Sequence, residues 1–477
     1  MFIFVSAFGL LSCLLLGGGT REGLLSDAVL QLLSIPVFLA ALWRILDAPL
    51  SRDRRRALVF CAAIVAIPIL QLAPLPPAIW TRLPGRALVV ESYELLGRSP
   101  LWAPISMTPE ATWLAALSLL PPLAIFLAVL TLDRRDRRRL SYAIVFVGVV
   151  SVFLGLIQLA QGQTSPLRFY EITNAGDPVG FFANRNHFAA LLYSSMLLAA
   201  AALAPRLAAL SPGPGRSRRR IDTASAIGPV GAIAAGVALI VLIAGEVAAR
   251  SRAGVMLAAI GLSLCFVIGE ERRRIIEKKT FPRALAAIVV VAIFLFGQAA
   301  LSRLLDRFDA DPLAGARLVF ARNTITAAKS VTPVGAGLGS FPSFYMVFER
   351  PADLQAGVYA NHAHNDFLEL WLETGLIGPI MLGLFLVWLA RKAIAAWTTP
   401  DPGRLPVNRP LAQASVVVIL LLLGHSLVDY PLRTGAMMAV FAFCCGLLID
   451  SPPVSNGAPF ARRRRIMPTA STRAQRN

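Results

Sequence analysis

Long apolar stretches recur along the whole of this 477-residue chain, and they constrain its fold more than any other feature. A stretch of about 18 or more apolar residues is long enough to cross the hydrocarbon core of a bilayer as a helix. Backbone groups in hydrocarbon must be hydrogen-bonded within the protein, so such spans are helical. The sequence therefore predicts an all-α polytopic integral membrane protein.

These stretches define twelve predicted transmembrane helices. They lie at 2–17, 25–44, 57–73, 111–131, 140–160, 187–205, 227–248, 253–269, 284–301, 372–390, 411–428 and 434–449.

Short basic runs alternate with the spans in a regular way. Each run follows an even-numbered span, at 51–56, 133–139, 216–220, 270–279, 391–392 and 461–465. Basic residues in short loops stay on the cytoplasmic side, so the alternation predicts that every run and both termini are cytoplasmic. The net charge of +19 is therefore attributed to membrane orientation, and we expect no nucleic-acid partner.

The longest connection falls on the opposite side of the membrane. It is the segment 302–371 between spans 9 and 10, and loops of this length are usually functional. We expect residues 1–450 to form a single transmembrane domain. Residues 451–477 are rich in Pro, Ser and Arg and are predicted to form a disordered, basic cytoplasmic tail.

The stretch "NHAHNDFLELWLETGLIGP" (361–379) places histidines directly before an apolar helix. Asn365 or Asp366 can cap this helix, and Asp366 with Glu369 has the spacing of a capping box. His364 then lies just outside a helix N-terminus, where the dipole favours neutral imidazole and attracts anions. Neutral imidazole can act as a general base near neutral pH.

Glycines later in the same stretch also carry expectations. Gly375 and Gly378 allow close helix contact, and Pro379 is expected to bend the helix axis.

Polar residues collect at the predicted extracytoplasmic ends of the spans. All four histidines lie there, together with Arg185, Arg250, Arg252, Arg317, Arg322 and Arg433. A single boundary arginine would be read as snorkelling to headgroups. A cluster on one side favours an anion site, and the guanidinium fork suits the oxygens of a diphosphate.

Alternative interpretations of the histidine stretch stay open from the residues alone. His362, His364 and Asp366 would together suit a metal ion, or His364 would serve only as a structural cap. The run "GAGLGS" (335–340) resembles a phosphate-binding glycine loop, but it lacks the GK[ST] ending. We interpret it as a turn before an interfacial segment.

Four motifs in chain order resemble those of one known family. "HNDFLELWLETGLIG" fits the pattern H-[NSQ]-x9-G-x-x-[GTY], "SRAG" (251–254) resembles an SR-small motif, and "FFANRNHFAALL" (181–192) resembles an asparagine motif. The segment 315–341 resembles an R-x-x-x-W…P-x-x-G-x-G-x-x-x-F motif, without its Trp. Over about 150–450 the chain thus resembles the O-antigen ligase and Wzy-type polymerase superfamily.

The resemblance implies a GT-C-like fold and a metal-independent, inverting glycosyltransferase that uses no cofactor. Such an enzyme moves a glycan from an undecaprenyl diphosphate carrier to an acceptor, such as lipid A–core or a polysaccharide, on the periplasmic face of the inner membrane. His364 would act on the acceptor hydroxyl, and Arg252 and Arg317, joined by Arg185, would bind the diphosphate. The supporting residues would be Asn186, Asn365, Asp366, Gly375 and Gly378.

Three functions therefore remain in view. The first is an O-antigen ligase-like transferase, and the second is an O-antigen or exopolysaccharide polymerase of the same superfamily. The third is a non-enzymatic transporter or flippase of anionic lipids, for which repeated halves and broken helices would be more typical.

Overall fold

The computed structural model describes residues 2–21, 23–47, 49–210, 227–268, 312–354 and 359–451. In chain order, the elements are α1 Phe2–Leu16, α2 Leu25–Leu46, α3 Arg52–Leu72, β1 Pro74–Leu75, α4 Pro77–Trp80, α5 Ala87–Leu95, β2 Ala103–Pro104, α6 Pro109–Ser118, α7 Leu120–Thr131, α8 Arg134–Gln161, α9 Arg185–Leu210, α10 Ile227–Ala248, α11 Arg252–Ile268, α12 Pro312–Val331, α13 Phe341–Tyr345, α14 Asp366–Thr374, α15 Ile377–Thr398, α16 Arg409–His425 and α17 Gly435–Leu447.

The helices confirm the class of multi-pass membrane protein. Within the described residues, seven helical segments are long and apolar enough to cross a membrane, and four shorter apolar helices accompany them. These eleven coincide with eleven of the predicted spans. The remaining one, at 284–301, lies outside the described residues, so the total of twelve stays a prediction.

Two helices form the centre of the bundle. Of the 18-residue apolar stretch in α9, 72% is buried inside the bundle. Most residues of the shorter helix α16 are buried as well. Small residues allow this packing, since Ala189, Ala190, Ser194 and Ser195 on α9 are fully buried. These short side chains let the helices around α9 approach it closely.

One end of the bundle gathers basic residues and is called the basic end. Arg137 of α8 is fully buried, and its guanidinium donates to the carbonyl oxygens of Leu132 and Ile449. Lys392 of α15 forms an ion pair with Asp53 at 2.6 Å. The basic runs after predicted spans 2, 4 and 10 therefore lie at the same end, as the alternation requires.

The opposite end, called the histidine end, carries the long connection. The described part of this segment begins with the 20-residue helix α12, which the sequence analysis treated as loop. Turns at 332–340 follow, and Gly337 has a φ of +109° where a Cβ would lie 2.4 Å from Ser106 Oγ. The expected glycine-rich turn is therefore present, and its close approach to Ser106 requires glycine.

The segment 73–108 is attached to this turn. Strands β1 and β2 pair antiparallel, with Pro74 opposite Pro104. Met107 N donates to Ala336 O at 2.8 Å, and Gln71 Oε1 accepts from Leu338 N at 3.0 Å. The connection between α3 and α6 thus supports the long connection through the turn.

The predicted span at 372–390 is interrupted near its start. Gly375 ends α14 with a φ of +60°, and a new helix, α15, begins at Ile377. Gly375 thus terminates a helix, and Pro379 lies in the first turn of α15, where proline is tolerated without a bend. Gly378 does allow close packing, because a Cβ there would lie 2.0 Å from Thr374 Oγ1.

Candidate active site

His364 is held immediately before α14 by a capping interaction. The N-cap of α14 is Asn365, whose side-chain oxygen accepts from Phe367 N and Leu368 N. The expected capping box of Asp366 and Glu369 is wrong, because Asp366 is the first helical residue and both carboxyl groups are buried. His364 itself has a φ of +49°, a conformation that is unfavourable outside glycine and that clusters at functional sites.

A buried carboxylate orients the His364 ring. Asp429 Oδ1 lies 3.0 Å from His364 Nδ1. Burial would raise the pKa of Asp429, but the hydrogen bond from His364 and the electrostatic effect of the surrounding imidazoles hold that pKa well below its usual range. An ionised carboxylate only accepts, so Nδ1 carries the proton, and Nε2 is left as the acceptor of the neutral ring.

Two further residues hold Asp429 in place. Asn186 Nδ2, in the first turn of α9, donates to Asp429 Oδ2 at 2.6 Å. Ser251 Oγ, between α10 and α11, donates to Asn186 Oδ1 at 2.9 Å. Four separate segments of the chain therefore fix the orientation of one imidazole.

The four histidines do come together at this end. The rings of His187, His362 and His364 contact Tyr430, with centroid distances of 4.8, 4.3 and 4.9 Å. His425 Nδ1 lies 3.3 Å from Tyr193 Oη on the central helix α9. Burial raises the pKa of Tyr430 above its usual range, so its hydroxyl stays protonated among these rings.

His362 has a different environment from His364. Its Nδ1 lies 2.8 Å from Glu369 Oε1, and its Nε2 lies 3.2 Å from the carbonyl oxygen of Thr20. Burial lowers the pKa of His362, but the charge of Glu369 and its hydrogen bond more than offset this, so the pKa is raised. Both ring nitrogens face acceptors, which is the arrangement of a structural cation.

The metal interpretation requires three ligands in one place. Across the ranges that the structure describes, no group of three or more His, Cys, Asp or Glu side chains is placed to hold a metal ion. His362 and His364 instead direct Nδ1 to two different carboxylates, Glu369 and Asp429.

Arg433 was one of the arginines expected to bind an anion, but it is surrounded by carboxylates of α14. Its guanidinium lies 2.7 Å from Glu373 and 3.4 Å from both Glu369 and Asp366. Burial raises the pKa of Asp366 to about 6, although Arg433 opposes this. The Glu369 pKa is lowered to about 2, because Arg433 and His362 outweigh the effect of burial. The guanidinium of Arg433 is therefore engaged by the carboxyl groups of α14.

The same carboxylates tie neighbouring loops to α14. Glu373 Oε1 accepts from Gly339 N in the glycine turn, and Glu369 Oε2 accepts from Ala363 N beside the site. Helix α14 thus holds both the glycine turn and the residue next to His364.

Two of the remaining arginines share a carboxylate that the sequence analysis did not consider. Asp177 lies 2.8 Å from Arg185 and 3.6 Å from Arg250. Arg250 is largely exposed and has a φ of +55°, and Arg322 pairs with Asp353 at 2.7 Å. Arg185 is therefore near the site but already engaged.

Arg252 and Arg317 lie on α11 and α12, Arg252 next to Ser251 and Arg317 one turn before Phe320. Arg252 is exposed as the first residue of α11. On α12, Phe320 stacks on His364 with a centroid distance of 6.0 Å and an interplanar angle of 22°. Arg317 lies one turn before Phe320 on the same face, and its buried Nε has no hydrogen-bond partner in the described structure. Arg317 thus offers a donor close to His364.

A cavity at the basic end lies away from these residues. A cavity of 730 Å³ at the basic end is lined by Lys392, Arg404 and Asp450, among others. It is at the opposite end of the bundle from His364, and none of the predicted site residues lines it.

Asp429 was missed by the sequence analysis. It lies in "GHSLVDYPLR" (424–433), from which the sequence analysis selected only His425 and Arg433. The sequence did offer one indication. Asp429 is an acidic residue just beyond the end of an apolar span and close to His425, where a carboxylate partner for an imidazole is expected.

The comparisons agree with the motif resemblance. No curated protein matches the chain significantly. Residues 237–383 match the family model described as O-antigen ligase. The matched region includes Arg252, Arg317, His364, Gly375 and Gly378, whereas Asn186 and Asp429 lie outside it. This match supports, over residues 237–383, the resemblance to the superfamily of O-antigen ligases and Wzy-type polymerases.

Proposed function

We propose that the protein is an O-antigen ligase-like glycosyltransferase. It takes a glycan from an undecaprenyl diphosphate carrier and transfers it to an acceptor hydroxyl, such as that of lipid A–core. The observation that carries this proposal is the oriented pair of His364 and Asp429, which joins the matched domain to the loop after α16. A carboxylate-oriented imidazole at a membrane boundary suits base catalysis on a hydroxyl group.

The reaction needs one proton transfer and one displacement. His364 Nε2 accepts the proton of the acceptor hydroxyl as its oxygen forms a bond to the anomeric carbon. The bond from that carbon to the diphosphate oxygen breaks on the opposite face, so the configuration inverts. Asp429 stabilises the imidazolium that forms, and undecaprenyl diphosphate leaves with the bonding electrons.

Arginines neutralise the leaving diphosphate in this proposal. Arg317 and Arg252 are the principal ligands, because Arg317 presents an unbonded Nε near His364 and Arg252 is exposed at the start of α11. Arg185 contributes less, since Asp177 already holds it at 2.8 Å. Donors aimed at a developing charge lower the barrier without reorganisation. The chemistry then proceeds without a metal ion or a cofactor.

The membrane orientation is part of the proposal. Basic residues at one end of the bundle support twelve spans with both termini in the cytoplasm and the histidine end in the periplasm. The protein then lies in the bacterial inner membrane with a GT-C-like transmembrane domain over 1–450. The tail predicted at 451–477 lies, from residue 452 onward, outside the described residues.

Glycan analysis of a deletion strain tests this function. For a ligase, we expect lipid A–core to lose all long polymer while lipid-linked polymer accumulates. Expression of the wild-type protein in the deletion strain should restore transfer. Retention of single-repeat caps on lipid A–core would instead identify a polymerase. Normal surface glycan together with blocked movement of lipid-linked intermediates would identify a transporter and refute the proposal.

A further inference from the structure

The segment 77–102 presents an apolar surface that no described part of the bundle covers. None of the residues of α5 is buried. The side chains of Leu88, Leu95, Leu96, Leu101 and Trp102 are between 61% and 82% exposed. Monomeric soluble surfaces rarely expose so many large apolar side chains in one place, so this surface requires an apolar environment.

The exposed leucines at α5 lie toward one side of the helix. Leu88 and Leu95 are two turns apart, and Leu96, the residue after α5, lies on one side of them, while exposed Glu91 borders them on the other. Glu94 is also exposed but points away from the centre of this face. Glu91 and Glu94 thus lie toward one side of the helix and the leucines toward the other, and this division suits a helix that lies in the plane of a membrane interface.

The surface is continuous with the lipid-facing surface of the spans. Ile69 and Leu70 at the end of α3 are about as exposed as the apolar face of α5, and so is Trp113 at the start of α6. The segment leaves the bundle at the end of α3 and returns at α6, so it lies at membrane-boundary depth. Aromatic residues at this depth are typical of the membrane interface.

The segment is a folded unit and not a loose loop. Trp80 is buried, its ring lies 6.1 Å from that of Tyr93, and its Nε1 donates to Leu101 O at 2.8 Å. Arg86 is buried and donates to Ile105 O. The apolar face is therefore held outward by internal contacts.

We propose that residues 77–102 form an interfacial anchor that inserts its apolar face into the leaflet at the histidine end. Exposed Arg82 and Arg98 at its two ends then meet the lipid phosphates. Because Met107 and Gln71 bond the adjoining chain to the glycine turn, the anchor fixes the depth of that turn relative to the lipid surface. The occupant of this surface is lipid, and the inference does not depend on the proposed transfer reaction.

Fluorescence quenching of the full-length protein in phosphatidylcholine liposomes tests the anchor. Leu95→Cys and Glu94→Cys are each labelled with bimane and exposed either to brominated phosphatidylcholine or to aqueous iodide. We expect brominated lipid to quench the label at position 95 several-fold more strongly than at 94, and iodide to show the reverse order. Wild-type protein labelled in the same way shows how much bimane reacts with the native cysteines.

A second pair of variants guards against misfolding of the first. Leu101→Cys is compared with Ser99→Cys, which is also exposed and lies two residues away. Monodisperse elution in detergent is required of every variant. Equal quenching within both pairs, or stronger iodide quenching at the leucine positions, would overturn the anchor.

Discussion

Asp429→Asn removes one charge from the site and leaves its shape nearly unchanged. The substituted amide can still accept from Asn186 Nδ2, so the position remains filled and hydrogen-bonded. Its NH₂ group can instead donate to His364 Nδ1, and this favours the ring tautomer that places the proton on Nε2. The base is then protonated on the nitrogen that should accept from the acceptor hydroxyl.

The size of the effect follows from the contact distance. His364 Nδ1 and Asp429 Oδ1 are 3.0 Å apart, and Asp429 is buried. Opposite unit charges about 4 Å apart at an effective dielectric constant of about 20 attract by about 4 kcal/mol. Each 1.36 kcal/mol corresponds to about a tenfold change in rate, so we expect kcat to fall by on the order of 10³.

The assay is transfer of glycan from a lipid-linked donor by purified protein, with kcat and KM measured separately. KM for the donor should change little, because Asp429 does not touch the diphosphate in the proposed mechanism. Asp353→Asn is the matched control: it removes a carboxylate at the same end, where the partner Arg322 is half-exposed. A kcat for Asp429→Asn within a few-fold of that control would refute the role assigned to Asp429.

Four further outcomes are expected. His364→Ala should lower transfer by about 10²–10⁴-fold while retaining donor binding, whereas His362→Ala retains substantial activity and EDTA has no effect on the wild type. Equal inactivation by both substitutions together with inhibition by chelator would support a metal site instead. Arg317→Ala should lower turnover about 10- to 100-fold. Arg317→Lys should recover only part of this turnover, because an ammonium point charge replaces the bidentate guanidinium. Wild-type turnover in both variants would show that Arg317 does not bind the diphosphate. Arg433→Gln leaves carboxyl groups buried without their cation and should destabilise the fold by about 3–5 kcal/mol, measured as a lower Tm in detergent. Ser343→Cys should react with a membrane-impermeant thiol reagent added to intact spheroplasts. Labelling only after lysis would contradict the prediction that this segment lies outside the cytoplasm.

The helices were predictable because hydrocarbon imposes one requirement on every residue of a span. Apolar runs of sufficient length therefore placed the described spans without knowledge of their neighbours. The boundary near Gly375 was predicted poorly, since the run 372–390 is apolar apart from Glu373 and Thr374 and only a positive φ ends α14. Apolar character identifies a span, but it does not show where a helix is interrupted.

The site was predictable only as far as local sequence could carry it. His364, Asn365 and the arginines could be selected from motifs and from their places at span ends. The role of Arg433 could not, because its three carboxylate partners lie on α14, about 60 residues earlier, and pair with it only through the fold. Asp429 likewise gains its role from His364, 65 residues away. Long-range pairing of charged groups has no sequence period by which it could be recognised.

The bond between Asn186 and Asp429 joins positions 243 residues apart, and this separation has a consequence for biosynthesis. The ribosome completes α9 long before the loop after α16 emerges, so Asn186 and Ser251 enter the membrane without the carboxylate they will hold. His364 likewise lacks its orienting partner until the final hairpin, α16 and α17, is inserted. A nascent chain can therefore occupy the bilayer with most of its helices in place and still be unable to activate a hydroxyl group. In the proposed mechanism, catalytic competence is acquired only when the last two described helices have been inserted.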